Sequence, residues 1–521
     1  MIPALLSSPR MGGLKMRIFA YYSKVMPIRK PNMKMKSLLP LFALFLVFAT
    51  AGVRADEKMN VLFIISDDLT ATALSCYGNE VCKTPNIDRL AAEGTKFTRA
   101  YCQATYCGPS RASFMFGYYP SATKVLGYVS GRKAVGDQRD SWSQHFRKNG
   151  YHSARVSKIY HMGVPGGIEG GGDGSDDPAS WNEKYNSPGP EWRAPGDGET
   201  LQLRARKGVK PTAETLASRV APVGGNTFVV VEADGDDEVH SDGKTAEKAV
   251  ELLHKYKEID KPFFLGVGFV RPHIPFVAPR KYFEPYLPYS KMVLPEKVAG
   301  DWDDIPKPGI NYCTSENMFM DERKQKKAVG GYYASVAFMD AQVGKVLDAL
   351  EATGQKDNTI VIFTSDHGFH LGEHDFWAKV SLHEESAKVP LIIAAPGKKP
   401  AVCDSFTELL DLYPTLSTMC GLKVPDRIQG KDLSSMLDDP SVSVRDAAFC
   451  NSGKGLLLRT DRWAYIKYKK GEEEIFDMHK DPKQYVNLAK NPEYAEALNS
   501  MREQLAAKLK TVQTNDLGLK Y

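Results

Sequence analysis

The chain has 521 residues, 42% apolar and 25% charged, which suffices for two hydrophobic units and excludes a disordered chain or a repeat array. Its 68 basic and 63 acidic side chains leave a formal charge of +5, and the basic residues are dispersed, so there is no nucleic-acid footprint. The 8 cysteines are too few for a disulfide scaffold in this length and none has CxxC or CxxH spacing, which removes a zinc site; Cys76/Cys82 and Cys403/Cys420 stand as possible pairs.

In chain order, Lys34-Met35-Lys36, the apolar run SLLPLFALFLVFATAG and Val53-Arg54-Ala55 read as a secretory signal: a basic flank, a short Pro-interrupted apolar stretch and a small residue before Asp56. This predicts export to the periplasm or outside the cell (to a lysosome in a eukaryote), with Met35 an alternative start and no stable membrane span after cleavage. Asn60 to Ser66 is a continuous apolar run ending in Asp67-Asp68, the pattern of a central parallel strand. Thr84-Pro85 opens a helix that stops at Gly94, and Lys96 to Ala100 is a second strand. Residues 163 to 240, Gly-rich at first and then weakly periodic, read as an irregular insertion at the rim of a site. A helix from Asp242 to about Tyr256 precedes a buried strand, Pro262 to Phe269, that ends in Val270-Arg271-Pro272-His273. Residues 326 to 354 are helical, and Thr359 to Thr364 is a strand ending in Ser365-Asp366-His367. Alternating strands and helices imply a mainly parallel sheet covered on both faces. Beyond Pro396-Gly397 come a helix at Leu409 to Leu422, short strands in AAFCNS, GLLLRT and RWAYIKYKKG that suggest an antiparallel sheet, and a terminal helix, Glu493 to Leu509. The expected organisation is an extension with signal (1–55), a catalytic domain (56–398) and a C-terminal α+β subdomain (399–521).

Cys107-Gly108-Pro109-Ser110-Arg111 puts a cysteine near the start of a helix, where unpaired N–H groups and partial positive charge suit an oxyanion. Alone, that motif is as readily a buried cysteine before a tight turn, and a DD or DH pair is more often a solvated turn. Here three strand ends, Asp67-Asp68, His273 and Asp366-His367, supply carboxylates and imidazoles to the end of a sheet where ligands gather.

The CGPSR run resembles the CxPSR signature of type I sulfatases, and the resemblance extends over roughly Asn60 to Tyr521. It implies an alkaline-phosphatase-like α/β sandwich and conversion of Cys107 to formylglycine by a formylglycine-generating enzyme. It also implies one divalent cation held by Asp67, Asp68, Asp366 and His367 with residue 107. Three carboxylates suit Ca²⁺, with Mg²⁺ the alternative, while an imidazole ligand fits hard cations less well. Lys158-Ile159-Tyr160-His161, FVRPHIP around His273, and SDHGFHLGEHDFWAKVSLHEESAKVPLI with Lys379 resemble the iduronate 2-sulfatase branch. The implied roles are activation of the residue-107 nucleophile by the cation and Arg111, and charge neutralisation on sulfate by Lys158 and Lys379. His273 would be the acid and His161 the base, roles the two could exchange. The implied substrate is a sulfated oligosaccharide or glycosaminoglycan, most specifically a uronate 2-O-sulfate. Other sulfated polysaccharides, phosphate or phosphonate monoesters, and non-catalytic glycan binding through an unmodified Cys107 are the rivals. The chain departs from the family at Met115-Phe116-Gly117-Tyr118, where Leu-Thr-Gly-Arg is common, and at Phe369, where Trp is familiar in the branch, a change that could alter sugar packing.

Overall fold

The computed structural model describes residues 58–202 and 227–520; the expected signal segment and part of the 163–240 stretch lie outside them. Eight strands make one sheet in the spatial order Ala401–Glu408, Thr95–Tyr101, Lys388–Ala394, Thr359–Ser365, Asn60–Asp67, Phe263–Pro272, His152–Ser157 and Glu183–Tyr185. The central strand Asn60–Asp67 pairs in parallel on both sides, Val61 lying opposite Phe264 and Ile360. Of the eight, only Lys388–Ala394 runs against its neighbours.

Burial on both faces explains the unbroken apolar runs, since successive side chains point to opposite sides. Leu62 and Ile64 pack beneath the helices Pro85–Glu93, Ser241–Tyr256 and Glu322–Ala352. Val61, Phe63 and Ile65 face the helices Cys107–Phe116, Trp142–Lys148 and Leu412–Met419. The long helix Glu322–Ala352 begins where the Asp321 side chain accepts a hydrogen bond from the Lys324 N–H, and Gly354, at φ 73°, lies just past its end.

A second sheet is antiparallel: Ala447–Asn451, Gly455–Thr460, Trp463–Tyr468 and Glu473–Asp477, with the helix Ala495–Val512 on its apolar face through Leu498, Met501 and Leu505. Its fourth strand, Glu473–Asp477, extends the antiparallel sheet beyond the three short strands expected from the sequence. The strand Ala401–Glu408, beyond the expected boundary near residue 398, forms an edge of the large sheet. The 163–240 stretch is more ordered than expected: Glu183–Tyr185 is the other edge strand, and Gly196–Thr200 and Val229–Ala233 join Phe276–Pro279 in a three-stranded sheet. All eight cysteines are free, so neither suggested pairing is made. No described helix is long and apolar enough to cross a membrane.

Candidate active site

Four neighbouring parallel strands end on the same edge of the sheet, and each hands over a polar group: Thr359–Ser365 leads into Asp366 and His367, Asn60–Asp67 into Asp68, Phe263–Pro272 into His273, and His152–Ser157 into Lys158. Facing them is the helix Cys107–Phe116. Cys107 is its first residue, after Tyr106 in an extended conformation, so the thiol stands where the first helical N–H groups are unpaired. Lys379 enters from the turn after the short strand Trp377–Ala378. The backbone here is strained: Asp68 (φ 64°), Ser157 (58°), Ala378 (65°) and Val380 (84°) all occupy the left-handed region that non-glycine residues avoid. One glycine is dictated by crowding. A Cβ on Gly268 would lie 2.2 Å from the Lys158 carbonyl oxygen, so only glycine lets the Lys158 backbone cross that strand.

Nine of the ten residues expected from the sequence form one contact network. Cys107 Sγ lies 3.3 Å from His367 Nε2, 3.4 Å from Lys379 Nζ and 3.8 Å from Asp68 Oδ1. Lys379 Nζ donates to both Asp68 oxygens, at 2.7 and 2.9 Å, and reaches His273 Nε2 at 3.0 Å. Lys158 Nζ is bonded to Asp67 Oδ2. Arg111 donates to Asp366 Oδ2 (2.8 Å), Asp67 Oδ1 (3.2 Å) and the Lys158 and Ile159 carbonyls, so its guanidinium fastens three strand ends together. His161 stands apart: it bonds none of the others, its ring stacks on Tyr128 with centroids 4.4 Å apart, and its buried Nδ1 has no partner among the described residues.

The electrostatics follow from complete burial. Three carboxylates (Asp67, Asp68, Asp366) face three cationic side chains (Arg111, Lys158, Lys379), which balances charge without a metal. Burial alone would raise Asp67, but Lys158, His273, Arg111 and Lys379 together hold it well below the usual carboxylate range. Burial raises Asp68, only partly offset by Lys379 and His367. Burial, reinforced by Asp67, pushes the Cys107 thiol well up, so as a thiol it is a poor nucleophile. His273 is pushed well below its ordinary value by burial and then by Lys379, and His161 falls to about 3 by burial and Lys158; both rings are neutral near pH 7. His273 Nδ1 faces the Ile274 carbonyl, which can only accept, so the proton is on Nδ1 and Nε2 accepts from Lys379.

In each of two groups of buried donors the ligand atoms lie within 4.8 Å of one another: Asp67, Asp68, Cys107 and His273 in one, Asp67, Cys107, Asp366 and His367 in the other. The carboxylate oxygens fit a hard divalent cation. A metal there would add two positive charges to a balanced site and so prepare it for an anionic ligand.

Sequence reasoning missed the supports. Arg271 donates to Glu191 (Nη2 to Oε1, 2.6 Å) and to the His273 carbonyl (2.7 Å), so a residue of the irregular stretch braces the His273 turn. Tyr332 Oη donates to the Asp68 carbonyl at 2.7 Å, and Asp242 accepts the Val270 and Arg271 N–H groups. Phe369 is fully buried, stacked on Tyr332 with centroids 5.4 Å apart, and does not face a sugar; after Gly368 the chain turns it into the core. Phe116 and Tyr118 are also buried, Phe116 beneath the Arg132 guanidinium and Tyr118 bonded to Asp516.

The strand-end carboxylates, the buried lysines and the helix-borne cysteine define a hydrolase of anionic esters, and comparison supplies the family. The profile described as Sulfatase matches residues 59–422, and that described as N-sulphoglucosamine sulphohydrolase, C-terminal, matches residues 372–511. The chain belongs to the sulfatase family and is a sulfuric ester hydrolase. It is 33% identical over 465 residues to a sulfatase of Formosa agariphila, covering 86% of each chain. It is 32% identical over 433 residues to iduronate 2-sulfatase of Mus musculus, covering 75% of this chain and 74% of that one. The structure of the phosphonate monoester hydrolase of Silicibacter pomeroyi superposes with a TM-score of 0.70 at 21% identity, over 88% of this chain and 96% of that one, which shows the shared alkaline-phosphatase-like fold.

Proposed function

We propose that the enzyme removes the 2-O-sulfate of a uronic acid residue in a sulfated glycan, acting as an exported protein on the end of the chain. The observation that carries this reading is Lys379, buried and touching Asp68, Cys107 and His273 at once. Through it the WAK and RPH segments, both resembling the iduronate 2-sulfatase branch, meet at one point, and the 32% identity to the mouse enzyme agrees.

Converted to formylglycine and hydrated, residue 107 would supply a hydroxyl nucleophile for sulfur, which its buried thiol does not. Asp67, Asp68, Asp366 and His367 would hold a divalent cation, Ca²⁺ by the hardness of the carboxylates, which lowers the proton affinity of that hydroxyl. Lys158 and Lys379 place positive charge where sulfate oxygens must lie, from positions fixed by their carboxylate partners. As the ester S–O bond breaks, the leaving alcohol takes a proton that Lys379 Nζ passes to His273 Nε2, so the ring delivers the proton as the acid and Lys379 is left neutral until it regains one from solvent. His161, neutral and with a buried Nδ1 that has no partner among the described residues, accepts the proton released when sulfate is expelled. Arg111 holds Asp67 and Asp366 in register and leaves the sulfate contacts to the lysines.

The test is sulfate release from 2-O-sulfated iduronate disaccharides, from sulfated fucose and galactose oligosaccharides, and from phosphate and phosphonate monoesters, after mass spectrometry of the tryptic peptide carrying residue 107. Preference for the uronate supports the proposal. Inactivity on it while another sulfated sugar is cleaved removes the narrower substrate, and preference for phosphonate esters favours the activity named for the Silicibacter protein.

A further inference from the structure

We infer that Tyr128 is the platform on which the sugar ring of the substrate rests; this deepens the glycan reading above and depends on it. The segment 124–130 has no regular secondary structure, yet it lies directly on the first turn of the nucleophile's helix. A Cβ on Gly108 would meet the Gly127 carbonyl oxygen at 2.9 Å and Tyr128 Cδ1 at 3.1 Å, so glycine beside Cys107 is what allows this segment to close down. One face of the Tyr128 ring stacks on His161 (4.4 Å, 26°) and its edge meets Tyr106 (5.9 Å, 81°). The ring is therefore fixed on two sides, but Tyr128 is still 52% exposed, with Leu126 and Val129 exposed beside it. Its hydroxyl bonds no described residue.

A large aromatic held rigidly and left half bare costs apolar hydration, and such patches mark contact surfaces. The alternative aromatic, Phe369, is in the core. The charged groups beneath Tyr128 bind the sulfate end and leave the C–H faces of a pyranose without an apolar partner. The electron-rich face of a tyrosine ring suits those C–H groups, and its position fixes the ring over the sulfur-bearing carbon. The ligand class is thus a pyranoside sulfate rather than a small linear sulfate ester.

The test compares Tyr128→Ala and Tyr128→Phe with the wild type for KM and kcat on sulfated pyranosides, for inhibition by inorganic sulfate, and for the pH profile of kcat. For Tyr128→Ala the expected result is a KM raised about three- to tenfold, the range of one aromatic contact. The inhibition constant for sulfate and the pH profile should be unchanged, and Tyr128→Phe should behave as wild type. An unchanged KM in Tyr128→Ala overturns the inference. So does a shifted pH profile at constant KM, which would mean that Tyr128 acts only through His161. Wild-type activity on sugars other than the sulfated uronate refutes that specificity and leaves the platform measurable on the sugar cleaved; activity on non-sugar esters alone overturns both.

Discussion

The pair Glu191–Arg271 gives a direct measure of how the irregular segment serves the site. Both side chains are buried, at 2% and 3% exposure, and the Arg271 guanidinium reaches both Glu191 oxygens as well as the His273 and Pro275 carbonyls. Glu191→Ala leaves a guanidinium buried without its counter-charge, which costs about 3–5 kcal/mol. The same change loosens the turn carrying His273, and a displacement of about 1 Å near reacting groups can lower kcat about 100-fold. Paired replacement by apolar residues, Glu191→Leu with Arg271→Met, removes both charges and should recover most of the stability, because a buried ion pair and a packed apolar pair differ little. It should not recover kcat, since the bond to the His273 carbonyl is gone. Denaturant unfolding and steady-state kinetics on the three proteins decide the matter. A loss below about 1 kcal/mol for Glu191→Ala, or a double variant as unstable as the single one, would refute the reasoning from uncompensated charge.

Three other outcomes are expected. Gly268→Ala should fold but lose about 100-fold or more in kcat, as its Cβ displaces the Lys158 backbone; wild-type kcat would mean that the strand yields without moving Lys158. Dialysis against a chelator should abolish sulfate release and Ca²⁺ or Mg²⁺ should restore it, whereas undiminished activity of the metal-free protein would remove the cation from the carboxylate cluster. Asp242 is buried and raised from 3.8 to about 6 by burial, only partly offset by Arg271 and the two N–H groups it accepts, so the folded state favours its protonated form. Its contribution to stability is full below pH 3.8 and lost as pH rises through about 6, a span of about 3 kcal/mol. Asp242→Asn should remove that span from the pH–stability curve, and an unchanged curve in denaturant titrations from pH 4 to 7 would show that the group does not titrate there.

The strands that bear the site were legible because they are buried on both faces: runs such as NVLFIIS are unbroken, and a carboxylate pair at their end has no packing reason to be there. Helix starts were legible at Thr84-Pro85 and before Lys244 for similar local reasons. What escaped was set by tertiary contact. Lys388–Ala394, with Pro390 inside it, lacks alternation and runs against the sheet, and Glu183–Tyr185 is too short to carry a period. Whether Phe369 points into the site or the core depends on how the chain leaves Gly368, which no pattern of residue types records. Glu191 and Tyr128 act from segments without periodicity, found only by the groups they touch. The ten expected site residues were visible as a motif set, but no residue pattern signals that Arg111 is occupied by protein acceptors.

The burial of Cys107 has a bearing on time. In the folded chain the thiol is 1% exposed, closed in by His367, 260 positions downstream, and Lys379, 272 positions downstream. If residue 107 is converted as proposed above, an enzyme acting on it would need access to a side chain that the folded protein closes off, and conversion would come before the sheet closes. During synthesis at about 5–20 residues per second, the stretch from Cys107 to Lys379 takes roughly 15–50 s to emerge. Throughout that interval the motif has left the ribosome while the groups that will bury it do not yet exist. On that proposal the long sequence separation of the wall from the nucleophile would set a clock: circular permutation or a segment order that delivered Lys379 early would shorten the open interval and lower the converted fraction, even with every contact of the final site preserved.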